Sequence, residues 1–134
     1  MEIHKLQQKL LLILIIVMAT FFSSDKASAQ INASYMRIAS ITVNSASLEK
    51  YKAALKEQMN AALQLEPGVL AYSAVYHKNN SAQITILETY ASVAAYEAHI
   101  QTEHFKKYKA TVADMVTSVE LIDVVPIAVE TKVK

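Results

Sequence analysis

His99 and His104 are the side chains with the most evident chemistry. Histidine is the residue whose ordinary pKa lets it take up and return a proton near neutral pH, so either could serve as a general base. Glu88 falls in an alternating stretch that places it on one strand face with Ile84, Ile86 and Tyr90. A carboxyl held among apolar neighbours keeps its proton above the usual carboxylate range. Tyr72 and Tyr90 offer ring faces for a flat ligand and a hydroxyl to fix one of its oxygens, with Phe105 and Tyr108 as an apolar wall opposite. Asn44 has an amide to hydrogen-bond a bound molecule. Each has a plainer role as well. Tyr72, Tyr76 and Tyr90 are ordinary core aromatics, His99 suits a helix C-terminus and His104 a first turn. Glu88 is also placed to pair with Arg37 or Lys109, and Asn44 to cap a helix.

Other chemistries are excluded. His99 and His104 are five positions apart across a predicted helix break, not the i, i+4 pair that grips zinc from one helical face. Only His77 remains in the body of the chain to complete such a site, so no metal is expected. The single glycine, Gly68, rules out the Gly-rich loops that cradle nucleotides. The absence of Cys removes thiolate metal sites, disulfides and a thiol nucleophile. Thirteen Lys and Arg against twelve Asp and Glu, without a basic run beyond the solvated Lys106-Lys107-Lys109 helix face, leave no footprint for nucleic acid.

The elements that must position these residues are legible from periodicity. Tyr35–Val43 reads as a strand, closed by the capping residues Asn44 to Ser47. Leu48, Tyr51, Leu55, Met59, Ala62 and Leu63 then recur at three and four, which predicts an amphipathic helix stopped by Glu66-Pro67-Gly68. Pro67 disfavours a helical Glu66, and Gly68 is free to take positive φ. Leu70–His77 and Ala82–Tyr90 form a hairpin whose turn residues, Asn79 and Asn80 among them, tolerate left-handed conformations. Alternation puts Leu70, Tyr72, Ala74 and Tyr76 on one face. Ser92 caps a short helix through His99 and Ile100, and Thr102 caps another with Phe105, Tyr108, Val112 and Met115 on its apolar stripe. Val119–Val129 is a last strand in which Pro126 marks an edge, a bulge or an end. The order predicts an α+β fold, an antiparallel sheet with helices on one face. Strand residues that are apolar on both faces call for a second subunit as lid.

Before this domain, Lys5 and Lys9 precede the apolar run Leu10–Phe22, and a polar stretch ends in Ala27-Ser28-Ala29. That is the order of a signal peptide over residues 1–29, cleaved before Gln30. The run reaches about 20 Å as a helix, short of the ~30 Å hydrocarbon core, so no stable membrane span is expected. The domain is residues 30–134, and its destination the periplasm or the exterior.

Two stretches carry a resemblance. Glu66-Pro67-Gly68-Val69-Leu70-Ala71-Tyr72 is similar to the E-P-G-C-x-x-Y segment of the antibiotic biosynthesis monooxygenase family, with its quinol monooxygenase subgroup. Leu87-Glu88-Thr89-Tyr90-Ala91-Ser92, followed by Ala95 to Phe105, is similar to that family's E-x-W/Y-x-S and L-E-A-H-L-x-T-P-H-F segments at matching intervals. Tyr90 stands where Trp is frequent, Glu103 where Pro opens the last helix, and Val69 where Cys is usual. The resemblance implies a ferredoxin-like βαββαβ module pairing into a dimeric α+β barrel. It also implies oxidation of a quinol or other electron-rich phenol by O2 without metal, flavin or other cofactor. His99 or His104 would be the base, with Tyr72, Glu88, Tyr90, Phe105, Tyr108 and Asn44 around the substrate. Haem-degrading relatives have a Trp and a His near the positions of His99 and Lys109, which disfavours that chemistry here. The alternative is a non-catalytic exported dimer that sequesters an aromatic or haem-like molecule, and a third reading is a purely structural dimer module.

Overall fold

The structure, a computed structural model, describes residues 34–130. The predicted signal peptide lies outside the described residues. Strand β1 is Tyr35–Val43, as its β-forming residues predict. At its end the Asn44 side chain accepts a hydrogen bond from the Ala46 N–H at 3.0 Å and starts a single 3-10 turn, Ser45–Ser47. Helix α1, Leu48–Leu65, buries Tyr51, Leu55, Gln58 and Ala62 along one stripe. Burial of an apolar side chain such as Leu55 contributes about 1.5–3 kcal/mol. The helix ends at Glu66, which is extended ahead of Pro67.

Gly68 does not take the positive φ expected of it, nor does any other described residue. The reason for glycine here is space, because a Cβ would stand 2.6 Å from Ala95 Cβ. Strands β2, Val69–His77, and β3, Asn80–Tyr90, form the hairpin, so β3 starts two residues earlier than predicted. The turn at Lys78-Asn79 is made without left-handed residues. The β2–β3 register shifts between Val69 and Ala71. The extra residue at this bulge leaves Leu70 exposed and buries Val69 beside Tyr90, so Val69 takes the place predicted for Leu70.

Helix α2, Val93–His99, begins where Ser92 Oγ accepts from the Ala95 N–H at 3.1 Å. Helix α3, Glu103–Val112, begins where Thr102 Oγ1 accepts from the Phe105 N–H. The Thr102 hydroxyl also donates to the His99 carbonyl at 2.7 Å, which ties the two short helices together. Strand β4 is Val116–Val124, three residues earlier than predicted, and it stops before Pro126, which has no N–H for a ladder.

All pairings are antiparallel, in the order β2-β3-β1-β4. This is the ferredoxin-like α+β arrangement. The core lies between the sheet and α1, where Ala39, Ile41, Val43, Ile84 and Ile86 meet Tyr51, Leu55 and Val112 of the helices. On the opposite sheet face Val75, Leu87 and Ile122 are exposed. Among the described residues no helix is long and apolar enough to cross a membrane.

Candidate active site

The antiparallel register sets Tyr72 of β2 opposite Glu88 of β3, with Tyr90 two residues on and therefore on the same face. Tyr72 Oη is 2.7 Å from Tyr90 Oη, and Tyr90 Oη is 2.9 Å from Glu88 Oε2. From the helix side, His99 Nε2 lies 2.9 Å from Tyr72 Oη and 3.2 Å from Gln58 Nε2. The other ring nitrogen, Nδ1, lies 2.8 Å from Glu66 Oε1 at the end of α1. His104 Nε2 is hydrogen-bonded to that same oxygen. One hydrogen-bonded string thus runs from Glu88 through Tyr90, Tyr72, His99 and Glu66 to His104.

Beside the string lies a cavity of about 100 Å³. Tyr72, Glu88, Tyr90 and Gln58 give it a polar edge, and Leu55, Ile86, Phe105 and Val112 an apolar wall. Tyr108 also lines it, its hydroxyl 2.9 Å from that of Tyr51. On the β4 side Val119 and Leu121 complete the wall and remain half exposed, since no helix among the described residues covers them.

The structure thus gathers Tyr72, Glu88, Tyr90, Phe105 and Tyr108 around one cavity. His99, 1% exposed, is not in its wall but stands behind Tyr72, with the Phe105 ring 4.8 Å from its own. His104 lines the groove between α1 and α3, outside the cavity, as the turn from Phe105 requires. Asn44 lies outside the cavity and caps the 3-10 turn. Neither predicted partner, Arg37 or Lys109, forms an ion pair with Glu88, although both line the same cavity. Arg37 lies 3.0 Å from Asp123 and stacks over Tyr96, so the hydrogen-bond partner of Glu88 is Tyr90.

Burial pushes the Glu88 carboxyl above the usual carboxylate range, against the smaller opposing effects of the Tyr90 hydroxyl and the Arg37 charge. Burial lowers His99, against the pull of Glu66. Tyr72 and Tyr90 are both pushed well up, first by burial and then by the charge of Glu88. Their phenols are therefore neutral at physiological pH and serve as hydrogen-bond donors and acceptors, not as anions.

Spacing along the chain argues against a shared cation site for the two histidines, yet the fold brings both onto Glu66. The three donor atoms lie within 4.8 Å of one another and are the group among the described residues that could hold a metal ion. The 2.8 Å between His99 Nδ1 and Glu66 Oε1 is hydrogen-bond spacing. Donors at ~2.0–2.1 Å around zinc stand farther apart, so an ion would have to spread the cluster.

One member of the string, Glu66, and one side chain bonded to it, Gln58, are not site residues in the sequence reading. Gln58 falls three residues after Leu55 and four before Ala62, so a polar residue interrupting an apolar stripe was its signal. Glu66 reads in the sequence as a helix stop, and only tertiary contact shows its carboxylate receiving two imidazoles.

Residues 34–111 match the family model for antibiotic biosynthesis monooxygenase, and the chain belongs to that family. Among solved structures it is similar to a candidate antibiotic biosynthesis monooxygenase from Bacteroides thetaiotaomicron. The two are 46% identical, with 75% of this chain and 96% of that one covered, at a TM-score of 0.71. A candidate monooxygenase from Lactobacillus acidophilus is 29% identical over 67% of this chain and 43% of its own, at a TM-score of 0.66. A candidate family member from Nitrosomonas europaea, 20% identical over 71% of this chain and 91% of its own, shares the fold at a TM-score of 0.67. No curated protein matches the sequence.

Proposed function

We propose that this protein is an exported, homodimeric monooxygenase that oxidises a quinol or other electron-rich phenol with O2, without metal or flavin. The observation that carries this reading is the cavity with one polar edge, where Tyr72, Tyr90 and Glu88 meet an apolar wall with Phe105. A flat ring fits the wall while its hydroxyl reaches the edge. His99, acting through Tyr72, is the base that draws the phenolic proton, and His104 steadies Glu66 behind it. The anion then gives one electron to O2. Recombination of the ring radical with superoxide forms a C–O bond, a returned proton makes the hydroperoxide, and loss of water leaves a new carbonyl. For a hydroquinone the sum is hydroquinone plus O2 to hydroxyquinone plus water.

Mass spectrometry of exported protein would give an N-terminus at Gln30, and retention of the full-length chain in the membrane would overturn export. Catalysis is tested by mixing the protein with a panel of hydroquinones without oxygen and then admitting O2. The expected result is O2 uptake above the uncatalysed rate, with one water formed per product. Binding without O2 uptake would make the protein a sequestering dimer instead.

A further inference from the structure

The string of hydrogen bonds has a proton count that its geometry fixes. Four contacts stand in series, Glu88 to Tyr90 at 2.9 Å, Tyr90 to Tyr72 at 2.7 Å, Tyr72 to His99 at 2.9 Å and His99 to Glu66 at 2.8 Å. Each contact at such a distance holds one proton, since two lone pairs facing each other would repel. Tyr90, Tyr72 and a neutral His99 bring one proton each. With both carboxylates ionised, one contact would therefore be empty. A fourth proton must reside on the string.

It has two natural places. On Glu88 it makes every bond point one way, from Glu88 through Tyr90 and Tyr72 to a bare Nε2, with Nδ1–H donating to Glu66. On His99 it makes an imidazolium, with Nε2–H donating back through Tyr72 and Tyr90 to an ionised Glu88. Gln58, the more distant neighbour, shares the single lone pair or proton of Nε2 with Tyr72 in both arrangements, its N–H facing the bare nitrogen or, turned over, its oxygen facing the protonated one. The two states differ by one proton moved along the string, with no atom heavier than hydrogen displaced apart from that amide.

We propose that Glu88, Tyr90, Tyr72 and His99 form a reversible proton relay, with Glu88 its terminus in the cavity and the His99 imidazole against Glu66 its reservoir. The proposal rests on the functional reading for its use and on the geometry alone for its existence. In use, the substrate O–H gives its proton to one Glu88 oxygen while the other oxygen releases its own to Tyr90. Tyr90 passes its proton to Tyr72, and Tyr72 passes its own to His99 Nε2. Each group gains one proton and gives one up, and the charge of one proton comes to rest on His99. The reverse run returns it to the peroxide oxygen, so the cavity needs no water path to exchange protons. His104, bonded to the same oxygen of Glu66, holds that carboxylate in place against His99 Nδ1. Burial raises the Glu88 carboxyl and lowers the His99 imidazole, which weights the string toward the proton on Glu88.

The relay is tested first without turnover, by NMR of the full chain labelled in histidine and glutamate. At neutral pH the expected signals are those of a four-proton string, a carboxylic-acid Glu88 with an Nδ1–H, Nε2-bare His99 or an ionised Glu88 with a doubly protonated His99. Glu88→Gln, which can donate to Tyr90 but not release a proton, should hold His99 in the Nδ1–H tautomer. An ionised Glu88 beside a neutral His99 would overturn the proposal. The second arm uses turnover of a hydroquinone. Tyr90→Phe and Glu88→Gln should each lower kcat/KM by ~10². In wild type the rate should bend with deuterium fraction, as several protons move together, and in Tyr90→Phe it should follow a straight line. A straight line in both would reduce these residues to structural supports. If no hydroquinone is oxidised, the functional reading fails, while the resting NMR signals still decide the relay.

Discussion

Tyr72 Oη lies 2.9 Å from His99 Nε2 and stands between that imidazole and the cavity. The base thus reaches the cavity only through the Tyr72 hydroxyl. His99→Ala is expected to lower kcat/KM by ~10² or more, as for loss of a general base, and Tyr72→Phe by a comparable factor because it severs the connection. His104→Ala should cost less, since His104 acts on Glu66 and not on Tyr72. Steady-state kinetics would settle the ranking, and a larger loss at His104 would move the base there.

Gly68 faces Ala95 so closely that a methyl group would sit 2.6 Å from Ala95 Cβ. Gly68→Ala should destabilise the fold by about 1–3 kcal/mol through overpacking, and adding Ala95→Gly should restore part of the loss. Urea unfolding of the two single variants and the double variant measures the coupling. Additive losses would show that the contact is relieved elsewhere.

Stability should depend on pH in opposite senses at the two ends of the string. His99 titrates in the fold below its ordinary value of 6.5, so as pH falls under 6.5 the unfolded chain takes a proton that the fold resists, and stability drops. Glu88 titrates in the fold above its ordinary 4.5, so its favourable contribution is complete below 4.5 and is lost as pH rises through the folded value. Thermal unfolding across this range should show Glu88→Gln abolishing the second decline and His99→Gln abolishing the first. A Glu88→Gln profile parallel to wild type would contradict the assignment.

Hydroquinone oxidation should persist after treatment with a strong chelator. Glu66, His99 and His104 supply the donor set that would show a metal requirement if there were one. Loss of O2 uptake with chelator, recovered on adding a divalent cation, would place the ion on that cluster and refute the metal-free mechanism.

The exposed Val75, Leu87 and Ile122 on the open sheet face predict a homodimer at micromolar concentration. Light scattering should give twice the mass of the chain, and Leu87→Lys should shift it toward monomer. A monomeric wild type would leave that face to some other use.

The elements were legible because their signals are local. The i, i+3, i+4 recurrence of Tyr51, Leu55 and Ala62 gave α1, and alternation of Ile84, Ile86, Glu88 and Tyr90 gave the buried face of β3. The bulge at Leu70 was not legible, since nothing in the residue types of β2 marks where the register slips. Gly68 was placed correctly as a break but for another reason, because a steric demand from Ala95 is invisible until the helices are docked. The cavity residues were legible as aromatic and acidic side chains, Tyr72 on β2, Glu88 and Tyr90 on β3, and Phe105 and Tyr108 on the helix opposite. The junction of Glu66 with both histidines was not, because it joins the ends of three helices that only the tertiary fold brings together.

The position of His99 behind the cavity wall also separates two burdens that one site usually carries at once. Ile86, Val112 and Leu121 shape the space a ligand occupies, and none of them is a member of the hydrogen-bonded string. Their volumes can therefore be altered to admit a larger or smaller ring while the tautomer and orientation of the imidazole stay fixed by Glu66 and Gln58. For an engineer this makes Leu121, half exposed on the cavity wall, the natural place to begin, because Ile86 and Val112 also belong to the core.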